Sequence, residues 1–202
     1  MIADGGGRRM GRAARTAAAL VVATAALAGC SEAEPASETL PSTSAQAAPT
    51  TEALPPLGPA DFPMPPEARQ KTPAGAVEFT RYYMALGNHI ATGPLDPEPL
   101  LELSNGCNTC QMVVDSYAAD RTAGYMYGPS TYTFAESGPA MIEGDTAAVG
   151  FIYAESALTV YRPNGEVVQE RSAAATGTLQ SGAQLTWDAE RVTWLVQILT
   201  VG

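Results

Sequence analysis

One histidine, three cysteines and two tryptophans are all that 202 residues offer toward metal, thiol or large-ring chemistry. With His89 the single histidine, a zinc site started by Cys107 and Cys110 lacks two of its four ligands, so no metal is expected. No cofactor is expected either. Basic residues are also scarce, with eleven Lys and Arg against twenty-one Asp and Glu and a formal net charge of −10. A polyanion is repelled by phosphate backbones and anionic headgroups, which argues against nucleic acid as a partner. No apolar run reaches the roughly twenty residues that a membrane-spanning helix requires. No internal repeat is present.

What the first thirty residues do contain is ordered. Arg8, Arg9, Arg12 and Arg15 form a positive cluster, residues 16–27 an apolar stretch, and the small Ala28 and Gly29 precede Cys30. This is the tripartite pattern of a secretory signal, expected here at residues 1–29. Leu27-Ala28-Gly29-Cys30 resembles the bacterial lipobox. The resemblance implies cleavage before Cys30, lipidation of its thiol and new N-terminus, and a membrane anchor on the extracytoplasmic face; two or more acyl chains anchor stably where one is marginal. The Arg8-Arg9 pair leaves both the general secretory and the twin-arginine routes open. After cleavage seven basic and twenty acidic residues remain, a net charge of −13.

Residues 31–67 carry six acidic side chains, no basic ones and repeated Pro, Ser, Thr and Ala. Such a composition cannot offset the entropy of ordering the backbone. With Cys30, residues 30–67 are therefore expected to be a disordered, lipidated tether, and residues 68–202 a single domain of ordinary size.

The domain opens with helical signals. Thr72 can cap and Pro73 suits the first helical position; Ala76, Phe79, Tyr83, Leu86 and Ile90 then recur at spacings of three and four, stopping near Gly93. Residues 96–103 read as a short second helix with an acidic first turn. Cys110, Val113, Val114, Tyr117 and Ala118 share a face of a third, with Gly124 as its stop. Asn108 and Gln111 match a capping box, and Cys107 is the competing cap.

Beyond Gly124 the texture becomes β-branched and aromatic. Strands are expected over residues 132–136, 147–154, 157–161, 166–178, 184–187 and 192–201, with turns at Gly144-Asp145, Asn164-Gly165 and Ser181-Gly182. In the last strand Val192, Trp194, Val196 and Ile198 alternate inward, while Leu195 and Leu199 call for a second cover or a bulge. Helices first and a meander afterwards predict an α+β fold, three N-terminal helices packed on a curved antiparallel sheet.

Pro65-Pro66-Glu67-Ala68, residues 75–83 (Gly-Ala-Val-Glu-Phe-Thr-Arg-Tyr-Tyr), Ala91-Thr92-Gly93, Leu100, Ser104 and Cys107-Asn108-Thr109-Cys110 resemble an actinobacterial lipoprotein family catalogued as domain of unknown function 6318. The helical half carries the specific part of the likeness. Three helices before a bent sheet are also similar to the nuclear-transport-factor-2-like (NTF2-like) cone. That resemblance implies a cavity between the helices and the concave face, and no particular activity.

Cys107 and Cys110, three apart at a helix start and outside the cytoplasm, read most simply as a local disulfide. Cys-x-x-Cys at a helix N-terminus is also an oxidoreductase spacing, although the βαβ context of that chemistry is missing. His89 falls in the last turn of the first helix, where an imidazole suits the terminal carbonyls. Asp115, Glu102 and Tyr117 are conceivable acid or base groups, without a spacing that singles them out, and no catalytic residue is assigned. Tyr82, Tyr83, Tyr117 and Trp194, with Trp187, are candidate pocket walls. The function expected is a non-catalytic module binding a small ligand or an envelope protein; a cone-fold isomerase or hydrolase and a thiol-disulfide protein are the alternatives.

Overall fold

The computed structural model describes residues 54–202. The expected signal peptide at 1–29, the acylated Cys30 and the tether as far as residue 53 lie outside the described residues.

Helix α1 spans Pro73–Ala91. Thr72 Oγ1 accepts a hydrogen bond from the Gly75 amide at 3.0 Å, satisfying one of the open N–H groups of the first turn. Ala76, Phe79, Tyr83, Leu86 and Ile90 are all buried, as their spacing predicts. Helix α2 is short, Glu98–Glu102, and α3 runs Asn108–Thr122. Its cap is Cys107, whose sulfur accepts from the Cys110 amide at 3.1 Å. Gln111 instead donates to Asp115 Oδ1 at 2.8 Å, so the Asn108/Gln111 capping box does not form. The buried face of α3 is narrower than expected: Cys110, Val114 and Asp120 are buried, Tyr117 is half-buried and Val113 exposed.

Strands follow as β1 (Met126–Tyr127), β2 (Tyr132–Glu136), β3 (Met141–Glu143), β4 (Thr146–Glu155), β5 (Val160–Tyr161), β6 (Leu179–Asp188) and β7 (Thr193–Val201). Five of them form an antiparallel sheet ordered β2-β4-β6-β7, with β3 beside the start of β4, and β1 pairs with β5 in a separate ribbon. β4 is the central organiser. Ala147, Val149, Phe151 and Tyr153 alternate onto the buried face, where α1 packs, while α3 packs on β7. Phe79, Leu86, Phe151, Leu185 and Trp194 are fully buried between the layers, each contributing about 1.5–3 kcal/mol of apolar burial.

Of the two readings for the last strand, cover on both sides or a bulge, a bulge is present. Leu185 faces Val196 but Gln184 faces Ile198, leaving Gln197 as the extra residue that bends the strand. In consequence Trp194 and Val196 point inward but Ile198 is exposed and Leu199 buried, correcting the uninterrupted alternation. Val192 precedes the strand at φ 51° and is only half-buried. The edge of β7 is covered by the link from α2 to α3, since the Asn105 amide donates to Val196 O at 2.8 Å and the Val196 amide to Leu103 O at 3.0 Å.

Three further expectations are corrected. Residues 166–178 are not a strand; they form an irregular loop with a single 3₁₀ turn at Gln169–Arg171, anchored where Arg171 Nη2 donates to the buried Asp120 Oδ2 at 2.6 Å. Ser181-Gly182 is not a turn but lies inside β6, with Gly182 opposite Gly150. The folded part also begins before residue 68. Met64 is buried, the Phe62 ring stacks on Tyr82 at 5.6 Å and on His89 at 4.6 Å, and Tyr82 Oη donates to Phe62 O at 2.9 Å. Arg69 fastens the same segment, donating to the carbonyls of Pro55, Arg191 and Val192. Two aromatic contacts and an interior methionine supply the apolar burial that composition averaged away.

Candidate functional site

The helices and sheet separate at one end of α1, where a cavity of about 280 Å³ opens. α1 contributes Tyr83, Met84 and Asn88, α3 contributes Thr109, Cys110 and Tyr117, and the sheet closes the far side with Tyr153, Glu155, Leu199 and Val201. The placement follows from periodicity. Tyr153 and Glu155 continue the inward-facing row of β4 at steps of two, and Leu199 and Val201 face inward because of the bulge at Gln197.

The polar groups of the pocket are few. Tyr83 Oη is committed to Leu100 O at 3.3 Å. Tyr153 Oη donates to Glu155 Oε2 at 3.3 Å, and Ser130 Oγ approaches Glu155 Oε1 at 3.5 Å. Glu155 is half-buried, and among the described residues no Lys, Arg or His pairs with it. Burial first, and then the negative charge of Glu155, pushes the Tyr117 hydroxyl up to about 12. The same two causes raise Tyr153 well above the ordinary phenol value. These hydroxyls stay neutral at every physiological pH.

The walls are held from behind. Tyr117 meets Tyr127 edge-on at 5.9 Å, Tyr127 Oη donates to Asp120, and Asp120 is paired with Arg171. Tyr153 stacks on Tyr132 at 6.0 Å. Cys107 and Cys110 are bonded to one another and buried, so the disulfide fixes the first turn of α3 beside the pocket and does not present its sulfurs to a thiol partner.

Of the expected pocket residues the structure brings Tyr83 and Tyr117 together and leaves two elsewhere. Tyr82 faces the N-terminal segment through Phe62. Trp194 is fully buried, with its Nε1 donating to Gln70 O at 3.0 Å and Trp187 against it at 5.0 Å. His89 packs on Phe62 and lies 3.3 Å from Asp61, outside the cavity. Asp115 and Glu102 are exposed. Tyr153 and Glu155 were missed, although strict alternation from Ala147 identifies both as inward. Among the described residues no three His, Cys, Asp or Glu side chains converge as a metal site, and no helix is long and apolar enough to cross a membrane.

A second depression of about 390 Å³ lies on the open face of the sheet, where Gly150 and Gly182 stand side by side near Met141 and Ile198. The missing side chains of the two glycines leave the hollow, and it has no charged group in its lining. The pocket under the helices has walls on α1, α3 and the sheet and a half-buried carboxylate in its lining.

Three helices over one face of an antiparallel sheet, with a pocket between the layers, define an α+β domain. The chain belongs to the family of unknown function DUF6318, whose model matches residues 58–199. No curated protein matches it significantly. Among solved structures it is similar to the intermembrane-space region of the chloroplast protein ARC6, at 15% identity and a TM-score of 0.51, covering 65% of this chain and 97% of that one. It is also similar to an NTF2-like superfamily protein from Salmonella enterica serovar Typhimurium, at 11% identity and a TM-score of 0.39, covering 64% and 91%. At these identities the likeness concerns the fold alone.

Proposed function

We propose that this protein is an extracytoplasmic lipoprotein, anchored through Cys30, whose domain is a non-catalytic binding module with its ligand site between α1, α3 and the sheet. The observation that carries the binding reading is the makeup of the pocket: three tyrosines, aliphatic groups and a single carboxylate, without histidine, lysine, arginine or a second carboxylate in the lining. Glu155 has the neutral Tyr153 hydroxyl as its partner, and phenols whose ionisation burial pushes this far up are poorly matched to passing protons near neutral pH. The anchor rests on the arginine cluster, the apolar stretch and Leu27-Ala28-Gly29-Cys30. The acidic, proline-rich residues between Cys30 and the domain act as a spacer that holds the site off the lipid surface.

Two measurements test the two halves separately. The intact protein is purified from its native envelope and its bound small molecules identified by mass spectrometry; a stoichiometric compound lost on Tyr117→Leu is expected, and an empty pocket in freshly isolated protein counts against binding. Cys30→Ala should move the protein from the membrane to the soluble fraction with its fold intact, and retention in the membrane overturns the anchor.

A further inference from the structure

The pocket has an electrostatic asymmetry that narrows the ligand class. Glu155 sits at the end of the inward row of β4, half-buried, and its lining neighbours are aromatic, aliphatic or neutral polar groups. A carboxylate withdrawn from water without a cation beside it is held at a cost, and the cost falls when a positive charge arrives. Tyr153 reaches it with one hydrogen bond at 3.3 Å and Ser130 with a long one at 3.5 Å, which leaves acceptor capacity on both oxygens.

The tyrosines complete the arrangement. Tyr83, Tyr117 and Tyr153 enclose the same cavity, and aromatic rings attract cations through their negative faces, most strongly where water is excluded. Tyr117 and Tyr153 are braced by Tyr127 and Tyr132 behind them, so little rotamer freedom remains to be lost on binding. The volume, about 280 Å³, lies at the small end of ligand pockets. Resting on the binding function proposed above, we infer that this pocket takes a small organic cation, a substituted ammonium group seated between Tyr117 and Tyr153 and paired with Glu155.

Anions are turned away by Glu155 and by a mature net charge of −13, reached by removing Arg8, Arg9, Arg12, Arg15 and Asp4 from the full chain. A neutral ligand of the same shape fills the cavity without answering the carboxylate. Charge is therefore the variable to test.

The probes are choline and its uncharged isostere 3,3-dimethylbutan-1-ol, titrated by calorimetry into the full chain in detergent. Choline is expected to bind at least roughly tenfold more tightly than the isostere. Glu155→Gln should narrow that difference to the share the tyrosine rings supply, Tyr117→Leu should weaken choline about tenfold, and Tyr117→Phe, which keeps the ring, should preserve its binding. Equal binding of the two probes overturns the cation assignment and leaves the binding function standing. Binding of neither removes the assignment together with the pocket as a small-ligand site. The comparison of probes on the unaltered chain decides the question even if a variant fails to fold.

Discussion

Asp120 on α3 and Arg171 in the loop before β6, 51 residues apart in the chain, are joined by a 2.6 Å ion pair in which the aspartate side chain is 4% exposed and the arginine 35%. Tyr127 donates to the same carboxylate, so three separate segments meet at a single buried charge. Removing one partner of such a pair leaves an uncompensated ion inside the protein. Arg171→Met is expected to cost about 3 kcal/mol, read as a lower urea midpoint, and to make the bond after the exposed Glu170 sensitive to a glutamate-specific protease. Asp120→Asn, which keeps the shape and removes the charge, should be milder.

Gly75 gives a prediction whose sign opposes simple propensity. Alanine is favoured over glycine inside a helix by about 1 kcal/mol. A Cβ at Gly75 would lie 2.1 Å from the Gln70 carbonyl oxygen, which is backbone and also accepts from the Trp194 indole. Gly75→Ala is expected to lower stability by about 2 kcal/mol through this overpacking. Gly87→Ala in the same helix, where nothing lies within 4 Å of the added carbon, should raise stability slightly. Thermal denaturation of the two variants makes the comparison.

The N-terminal clasp is testable by truncation. A chain starting at residue 68 loses the Phe62 stack on Tyr82 and His89 and the buried Met64, while Tyr82 Oη loses its acceptor. We expect it to be less stable than a chain starting at residue 54 by about 3 kcal/mol or more, visible in the midpoint of denaturant unfolding. Equal midpoints would show the clasp to be decoration.

Alkaline titration reads the buried phenols. Burial pushes Tyr82 up to about 12, and burial with the Glu155 charge does the same for Tyr117. An unfolded tyrosine ionises near pH 10. Between pH 10 and 12 the unfolded chain therefore holds fewer protons than the folded one, and stability falls as pH rises. The stabilisation is complete below pH 10. Absorbance at alkaline pH should show these phenolates emerging together with loss of the fold, whereas independent ionisation near pH 10 in an intact fold would contradict their burial.

How much of this was legible depends on whether the signal was local. Thr72-Pro73 states its own helix start, and the stripe from Ala76 to Ile90 its own buried face, because both act within a few turns. Gly144-Asp145 behaves as a two-residue connection between β3 and β4. Ser181-Gly182 is also made of turn-forming residue types but lies inside β6, with Gly182 opposite Gly150 and Ser181 opposite the buried Phe151, where small residues do not mark a change of direction. Residues 166–178 are β-like in composition and are held out of the sheet by Arg171, a contact no window could contain. Tyr82, Tyr83, Tyr117 and Trp194 read from the sequence as candidate pocket walls, but which interior each meets is a tertiary fact. Tyr153 and Glu155 join the site only once β4 is in register with β2 and β6.

The extra residue in β7 separates two properties that sheets usually combine. Deleting Gln197 would place Ile198 directly after Val196 and restore plain alternation, with Ile198 still outward and Leu199 and Val201 still inward. The chemical groups on the pocket floor would stay the same while the bend carrying them disappeared. Composition and curvature of that floor are thus independently adjustable, the first through Leu199 and Val201 and the second through Gln197.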